Sequence, residues 1–378
     1  MTRYQWEMGQ ILSTDIAIIG AGIAGAGMAA AIGAGRDAIL VEQEERPGYH
    51  STGRSAAIFI QNYGNDVIRA LSRASAPLFT HADPELFPTP LLSPRGILFV
   101  TNENGLKDHR ELLCAAQGLE EIAPDVAKRM VPLLRRDWIA ASAFEPGARD
   151  IDVAALHQGW LKRAKASGVR ILSSAPLIRG ERANGRWRID TAAGRIEANI
   201  VVNAAGAWAD RVAAACSVRQ VGLTPMRRSI AVLPCPSGFD CARWPFVAET
   251  ADTWYFKPEP GRLLVSPADE DPVEPHDAFI DDMVMAEGLD RYEQAVTVPV
   301  THVERSWAGL RTFAPDRTPV VGFDSQAEGF FWLAGQGGYG IQTAPALSSL
   351  AATLVNGQAA PFELQDAAAA MSPARLQA

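Results

Sequence analysis

Runs of apolar and polar positions mark out a definite order of elements. Residues 15–19 form an apolar run of strand length, glycines punctuate it, and 23–35 then reads as a small-residue helix before a second apolar run at 38–41. This is a βαβ unit. Residues 47–57 (PGYHSTGRSAA) make a polar loop that turns into helix, and 65–79 continues helical. The 84–94 stretch is too rich in proline for a helix interior, so the composition shift there marks a domain crossing. Asp152 is placed as N-cap of a helix that closes at Gly168. Strands and tight turns follow at 169–172, 177–182, the Asn184-Gly185 hairpin signal, 187–191 and 200–203, the last running into Ala204-Ala205-Gly206. Residues 223–266 alternate apolar and polar as an antiparallel sheet with one exposed face requires. A second strand–glycine–helix junction closes the chain, with strand 330–333, glycine turn 335–340 and helix 341–355.

The expected fold class is α/β. A Rossmann-like dinucleotide domain is assembled from 1–84, 145–220 and 304–378, and a substrate-binding α+β domain with a mostly antiparallel sheet is inserted as 85–144 and 221–303.

Composition narrows the function. The chain has 378 residues, a formal charge of −8, 48% apolar and 21% charged residues, which is ordinary globular material for two or three domains. Its acidic balance opposes nucleic-acid binding and leaves small anions as ligands of local basic pockets. Cys114, Cys216, Cys235 and Cys241 form no C-x-x-C pair and are expected as reduced core thiols. Charges in the first ten residues argue against a signal peptide, so a cytoplasmic location is expected. Residues 16–35 are uncharged for about the length of a membrane span, but their Ala and Gly content and the clustering of Gly20, Gly22 and Gly25 fit a nucleotide turn better, and no integral membrane segment is expected.

In the Gly20-x-Gly22-x-x-Gly25 turn the first glycine permits the bend, the second admits a pyrophosphate to the backbone, and the third lets helix and strand pack closely. Glu42 follows about twenty residues later, where an acid accepts from a ribose hydroxyl. Further glycine junctions at 204–206 and 336–340 are far apart in sequence. A cofactor reached from so many segments is long and extended, which favours FAD over NAD.

The segments GYHSTGRSAA, DIDVAALHQGWL, VVNAAGAWAD, MRRS, SPADEDPVEPHD, RSWAGLRTFAPD and GFFWLAGQGGYGIQTAPA resemble the FAD-dependent D-amino-acid oxidoreductase (DAO) family, closest to bacterial D-arginine dehydrogenase. The resemblance runs from about Thr14 to the SPARL segment near the end. It implies hydride transfer from Cα of an amino acid to flavin N5, and an imino acid that hydrolyses to a 2-oxo acid and ammonia. It also implies an electron acceptor, whether quinone, dye or O2, with dehydrogenase favoured over oxidase by the resemblance alone. Matched to the family, Gly20, Gly22, Ala24 and Gly25 lie at the phosphates, Glu42 and Gln43 at the adenosine ribose, and Leu177 at the adenine. The loop Ser51, Thr52, Gly53, Arg54, Ser55, Ala56, Ala57 and Ile58 runs by the pyrophosphate and flavin, and Gly337, Gly338, Tyr339, Gly340, Ile341 and Gln342 surround the ring. Arg54 reads equally as an interdomain ion pair. With no cysteine beyond Cys241, where some relatives of the fold carry a link, FAD is expected to be noncovalent.

Arg228 and Arg311 stand in apolar surroundings and match the family's substrate-carboxylate arginines, a role suited to guanidinium forks; seen without the resemblance, either could be a buried ion pair. Tyr63 and Tyr255 match site hydroxyls, against the alternative of packing residues, and Gln342 and the Gly338 carbonyl match groups near flavin and amine. No general base is assigned. Where the arginine-preferring enzyme carries an acid for the distal guanidinium, this chain has Ile97, and Ile58 replaces a site histidine. An isoleucine cannot pair a buried cation, so neutral or apolar D-amino acids are the expected substrates. Glycine, sarcosine or a 2-hydroxy acid is the alternative within enzymes, and a non-catalytic flavin-fold binding protein the alternative outside them. His157 is expected to be packed or at the surface, His50 borders the flavin loop without a catalytic role, and the acidic run 270–277 reads as a solvated loop rather than a metal site.

Overall fold

The computed structural model describes residues 11–33 and 35–377; the reading of the first ten residues lies outside these. An eight-stranded sheet is built around Ile11–Ile19, with Gly194–Asn203 parallel on one side and Ala38–Val41, then Arg170–Leu172, parallel on the other. Central strands of this kind are covered on both faces, which explains why Ala38–Val41 is apolar throughout instead of alternating. Helices Ile23–Ala31, Val153–Ala166 and Gly340–Val355 contribute Met28, Trp160, Leu347 and Leu350 to the core on one face. Helix Ala209–Ala215 supplies Val212 and Ala213 to the other.

Local chemistry sets the boundaries. Asn65 caps helix Asp66–Thr80 by accepting from the Ile68 N–H, and Asp152 caps Val153–Ala166 through the Ala155 N–H. Asn184 and Gly185 both take positive φ (54° and 79°), as a two-residue hairpin turn demands. The first helix ends at Ala31, short of the expected residue 35.

The second large sheet has nine strands. Strands Thr224–Pro234, Arg262–Ser266, Tyr255–Glu259 and Phe246–Glu249 are neighbours in it, followed by Ile97–Thr101 and Ala141–Glu145. Its pairings are antiparallel except that Phe246–Glu249 runs parallel to Ile97–Thr101. Arg305–Phe313, grouped by sequence with the nucleotide-binding pieces, hydrogen-bonds along Thr224–Pro234 in this second sheet instead. The strands that follow it in sequence, Val320–Phe323 and Phe330–Ala334, belong to the first sheet, and strand pairing over such a distance leaves no local signal.

The cysteine expectation needs correction. Cys235 and Cys241 form a disulfide, because the chain between them doubles back to bring their Cα atoms to 6.1 Å. Cys114 is exposed, and only Cys216 is a buried thiol, its pKa pushed up to about 12 by burial. Among the described residues no helix is long and apolar enough to cross a membrane.

Candidate active site

A cleft of ≈ 400 Å³ runs from the glycine turn after Ile11–Ile19 to the second sheet. At the first end backbone meets backbone. Gly20 has φ +102°, and a Cβ there would strike the Ala204 carbonyl; a Cβ on Gly25 would strike the Gly20 carbonyl. The two distant glycine junctions are thus pressed together. Glu42 is buried, and its carboxylate accepts from the N–H groups of Ala21 (2.9 Å) and Glu44 (3.0 Å). Helix Ile23–Ala31 has no cap of its own at Gly22; Thr52 supplies one, its hydroxyl accepting from the Ile23 N–H at 2.9 Å. That bond pins the 51–58 loop to the nucleotide helix.

At the other end, Arg228 and Arg311 project from neighbouring antiparallel strands, where Arg228 lies opposite Gly309 and Arg311 opposite Met226. They are diagonal neighbours on one sheet face. Arg311 lies against Gly338, where a Cβ would be 3.1 Å from the guanidinium carbon. Arg228 is 5% exposed, sits over the Tyr255 ring at 5.9 Å, and has two buried nitrogens, Nε and Nη1, with no hydrogen-bond partner among the described residues. Its Nη2 lies 3.7 Å from both Asp252 and Glu270. Burial raises the Tyr63 hydroxyl pKa although Arg311 opposes it, so the phenol stays protonated. Tyr339, 4.8 Å from Tyr63 ring to ring, is pushed up to about 12 chiefly by burial.

Of the residues expected from sequence, Gly20, Gly22, Ala24, Glu42, Gln43, Ser51, Thr52, Arg54, Ser55, Ala56, Leu177, Gly337, Gly338, Gly340 and Ile341 line the cleft, together with Arg228, Tyr255 and Arg311. The glycine turn, Glu42 and the guanidinium pair therefore share one channel, which fits an extended dinucleotide. Gly25, Gly53, Ala57, Ile58, Tyr63, Tyr339, Gln342 and Ile97 are not on its wall. Gln342 is committed elsewhere: its amide exchanges bonds with the Ile60 backbone (3.2 Å each) and donates to Ser72 (2.8 Å). Ile97 is 2% exposed in an apolar cluster with Ile230, Phe246 and Tyr255, against which Ile58 and Tyr63 pack. Arg54 takes the ion-pair reading while still lining the cleft, bonding Asp277 and the carbonyls of Ala278 and Ala308. His157 is packed, its Nε2 bonded to the Ala21 carbonyl at 2.9 Å, and burial lowers its pKa and keeps it neutral. His50 lies on the cleft wall beside Trp208, 4.5 Å ring to ring.

The acidic run is exposed at Glu274 and Asp277, as expected of a solvated loop, but its acids are paired. Glu270 pairs with Arg317 and approaches Arg228, while Asp271 pairs with Arg227, Glu274 with Arg211 and Asp277 with Arg54. Like charges adjacent in sequence are tolerated because each meets an arginine from elsewhere. Asp252, Glu270 and Arg317 were missed by sequence reasoning, which had no signal beyond the acids themselves.

The sequence family described as FAD dependent oxidoreductase (DAO) matches residues 15–354. Glycine oxidase of Geobacillus kaustophilus is 25% identical over 63% of this chain and 62% of its own length. Human mitochondrial dimethylglycine dehydrogenase is 25% identical over 58% of this chain, a match covering only 28% of that protein. Among solved structures, L-proline dehydrogenase from P. horikoshii superposes with a TM-score of 0.82 at 20% identity, covering 97% of this chain and 99% of that one. Glycine oxidase from Geobacillus kaustophilus does so at 0.80 and 22%, over 96% and 98%. At these identities the structures establish the fold.

Proposed function

The chain belongs to the DAO family of FAD-dependent oxidoreductases, and from that premise we propose that it oxidises D-amino acids with neutral or apolar side chains to imino acids, which water converts to 2-oxo acids and ammonia. FAD supplies the acceptor for the hydride that leaves Cα. The observation that carries the substrate reading is Arg228, a buried cation whose Nε and Nη1 have no partner. Leaving such donors unmet costs about 1–3 kcal/mol or more for a charged group, and a substrate carboxylate bound between Arg228 and Arg311 relieves that cost. The protonated Tyr63 hydroxyl, off the cleft wall but beside Arg311, holds that guanidinium in place for the carboxylate.

Two guanidinium groups also favour the more negative form of the ligand. They oppose protonation of the amine, so the proton departs to water without a dedicated base. The apolar cluster of Ile97, Ile230 and Phe246 behind Tyr255 suits a side chain without charge, and the one acid on that face, Glu145 across from Ile97, is bonded to Asn62. In this reading the protein keeps the carboxylate grip of bacterial D-arginine dehydrogenase and lacks its distal acid at Ile97.

Anaerobic mixing of the FAD-loaded protein with D-Leu, D-Met, D-Phe and D-Arg, beside glycine, sarcosine and a 2-hydroxy acid, tests the proposal through loss of the visible flavin band. Neutral D-amino acids are expected to bleach it fastest. A higher kcat/KM for D-Arg would remove the Ile97 argument. Bleaching by sarcosine or glycine alone would favour the second reading, which draws its support from arginines that recognise a carboxylate and not an amine. An oxygen electrode run beside a dye-reduction assay separates oxidase from dehydrogenase.

A further inference from the structure

Arg228 is compensated in an unusual way. Glu270 and Asp252 each approach its Nη2 at 3.7 Å, beyond hydrogen-bond length, so its charge is balanced while no N–H of the group is consumed. A carboxylate that close to a buried guanidinium with unused donors should close on it, since a charge-assisted bond is stronger than a long ion pair. Glu270 does not close because it is held from behind. Both of its oxygens accept from Arg317 Nη2, at 2.8 and 3.0 Å. Arg317 is itself immobilised, with its guanidinium carbon 4.0 Å above the centre of the Phe313 ring.

We propose that Arg317 is a positioning residue that restrains Glu270 from closing on Arg228, and so keeps the substrate-carboxylate donors open. The inference rests on the carboxylate reading of Arg228. Its consequence is a self-blocking ion pair whenever the restraint is lost: Glu270 freed from Arg317 would occupy the donors that a substrate needs. Asp252 is the weaker competitor, being 54% exposed with no second cation to hold it.

The test uses the FAD-loaded protein and benzoate, a carboxylate without an amine, with binding read from perturbation of the flavin spectrum. Arg317→Met is expected to weaken benzoate about tenfold, and to raise KM for the amino-acid substrate by a similar factor with kcat little changed. Arg317→Met combined with Glu270→Gln should recover most of that loss, because the blocking carboxylate is gone, and Arg317→Lys should recover part of it. The double variant lacks the same arginine, so its recovery cannot be ascribed to better folding. Should the double variant bind benzoate as poorly as Arg317→Met, the restraint is overturned and Arg317 is structural. Arg228→Met separates this from the parent reading: if wild-type protein responds to benzoate and Arg228→Met responds equally, the carboxylate site itself is wrong and the inference falls with it.

Discussion

The two ends of the cleft are built from different materials. At the cofactor end, Gly20 packs on Ala204, Gly25 on Gly20, and Glu42 and Thr52 each accept from a backbone N–H. At the substrate end the contacts are between side chains, with Arg228, Arg311, Tyr63, Asp252, Glu270 and Arg317 brought in from separated stretches. Backbone packing tolerates almost no change in shape, whereas a charged side-chain cluster can be altered one member at a time. The first kind of construction therefore fixes which cofactor the fold carries, and the second leaves the substrate adjustable.

The largest expected effect lies at the cofactor end. Gly25→Val would drive its Cβ into the Gly20 carbonyl, and backbone on both sides cannot yield as a flexible side chain would. Destabilisation above about 3 kcal/mol is expected, with no FAD retained through gel filtration. A yellow, normally stable Gly25→Val protein would show that this turn is not rigid. At the substrate end, Arg311→Met or Arg228→Met should raise KM by about 100-fold while FAD stays bound. Unchanged KM in both would take the arginines out of the pocket and erase the contrast between the ends.

That division also decided what could be read from sequence. The nucleotide turn, Glu42, the caps at Asn65 and Asp152, and the Asn184-Gly185 hairpin are local patterns, and each was legible because its physical reason lies within a few residues. Arg228 and Arg311 were found through resemblance to a family, since composition shows only that they stand among apolar neighbours. Glu270, Arg317 and Asp252 were not found, and the Cys235–Cys241 bond was not either. Each depends on which strands pair and where a loop returns, as with Arg305–Phe313 joining the second sheet. Gln342 was matched through the same resemblance, and its amide bonds Ile60 and Ser72.

Thr52, like Glu42, is a side chain that does the backbone's task at the cofactor end. Thr52→Val keeps the shape and removes the acceptor for the Ile23 N–H. A lost helix cap costs about 1 kcal/mol, so FAD affinity, followed by quenching of its fluorescence on binding, should fall about fivefold. An unchanged affinity would mean that the loop is held by packing alone.

The smallest effect distinguishes a working charge from an idle one. Glu145 lies directly across from Ile97 in strand register, on the sheet face that carries Tyr255, and is 5% exposed. Unlike Glu270 it has no cation. Burial raises its pKa, and the Asn62 amide (3.0 Å) and the Gln61 backbone only partly offset this. A carboxyl whose folded-state pKa lies above its unfolded value lends stability while protonated, below the unfolded value, and loses it as pH rises through the folded one. At pH 7, above the unfolded value, the buried carboxyl therefore weakens the fold. Glu145→Gln keeps an acceptor for Asn62 and removes the charge, so Tm should rise by about 2 °C at pH 7. The gain should vanish once pH falls below the ordinary carboxylate range, where the wild-type group is neutral as well. A gain that persisted unchanged at low pH would trace to packing, and the claim that this sheet carries a buried carboxyl without a cationic partner would fail.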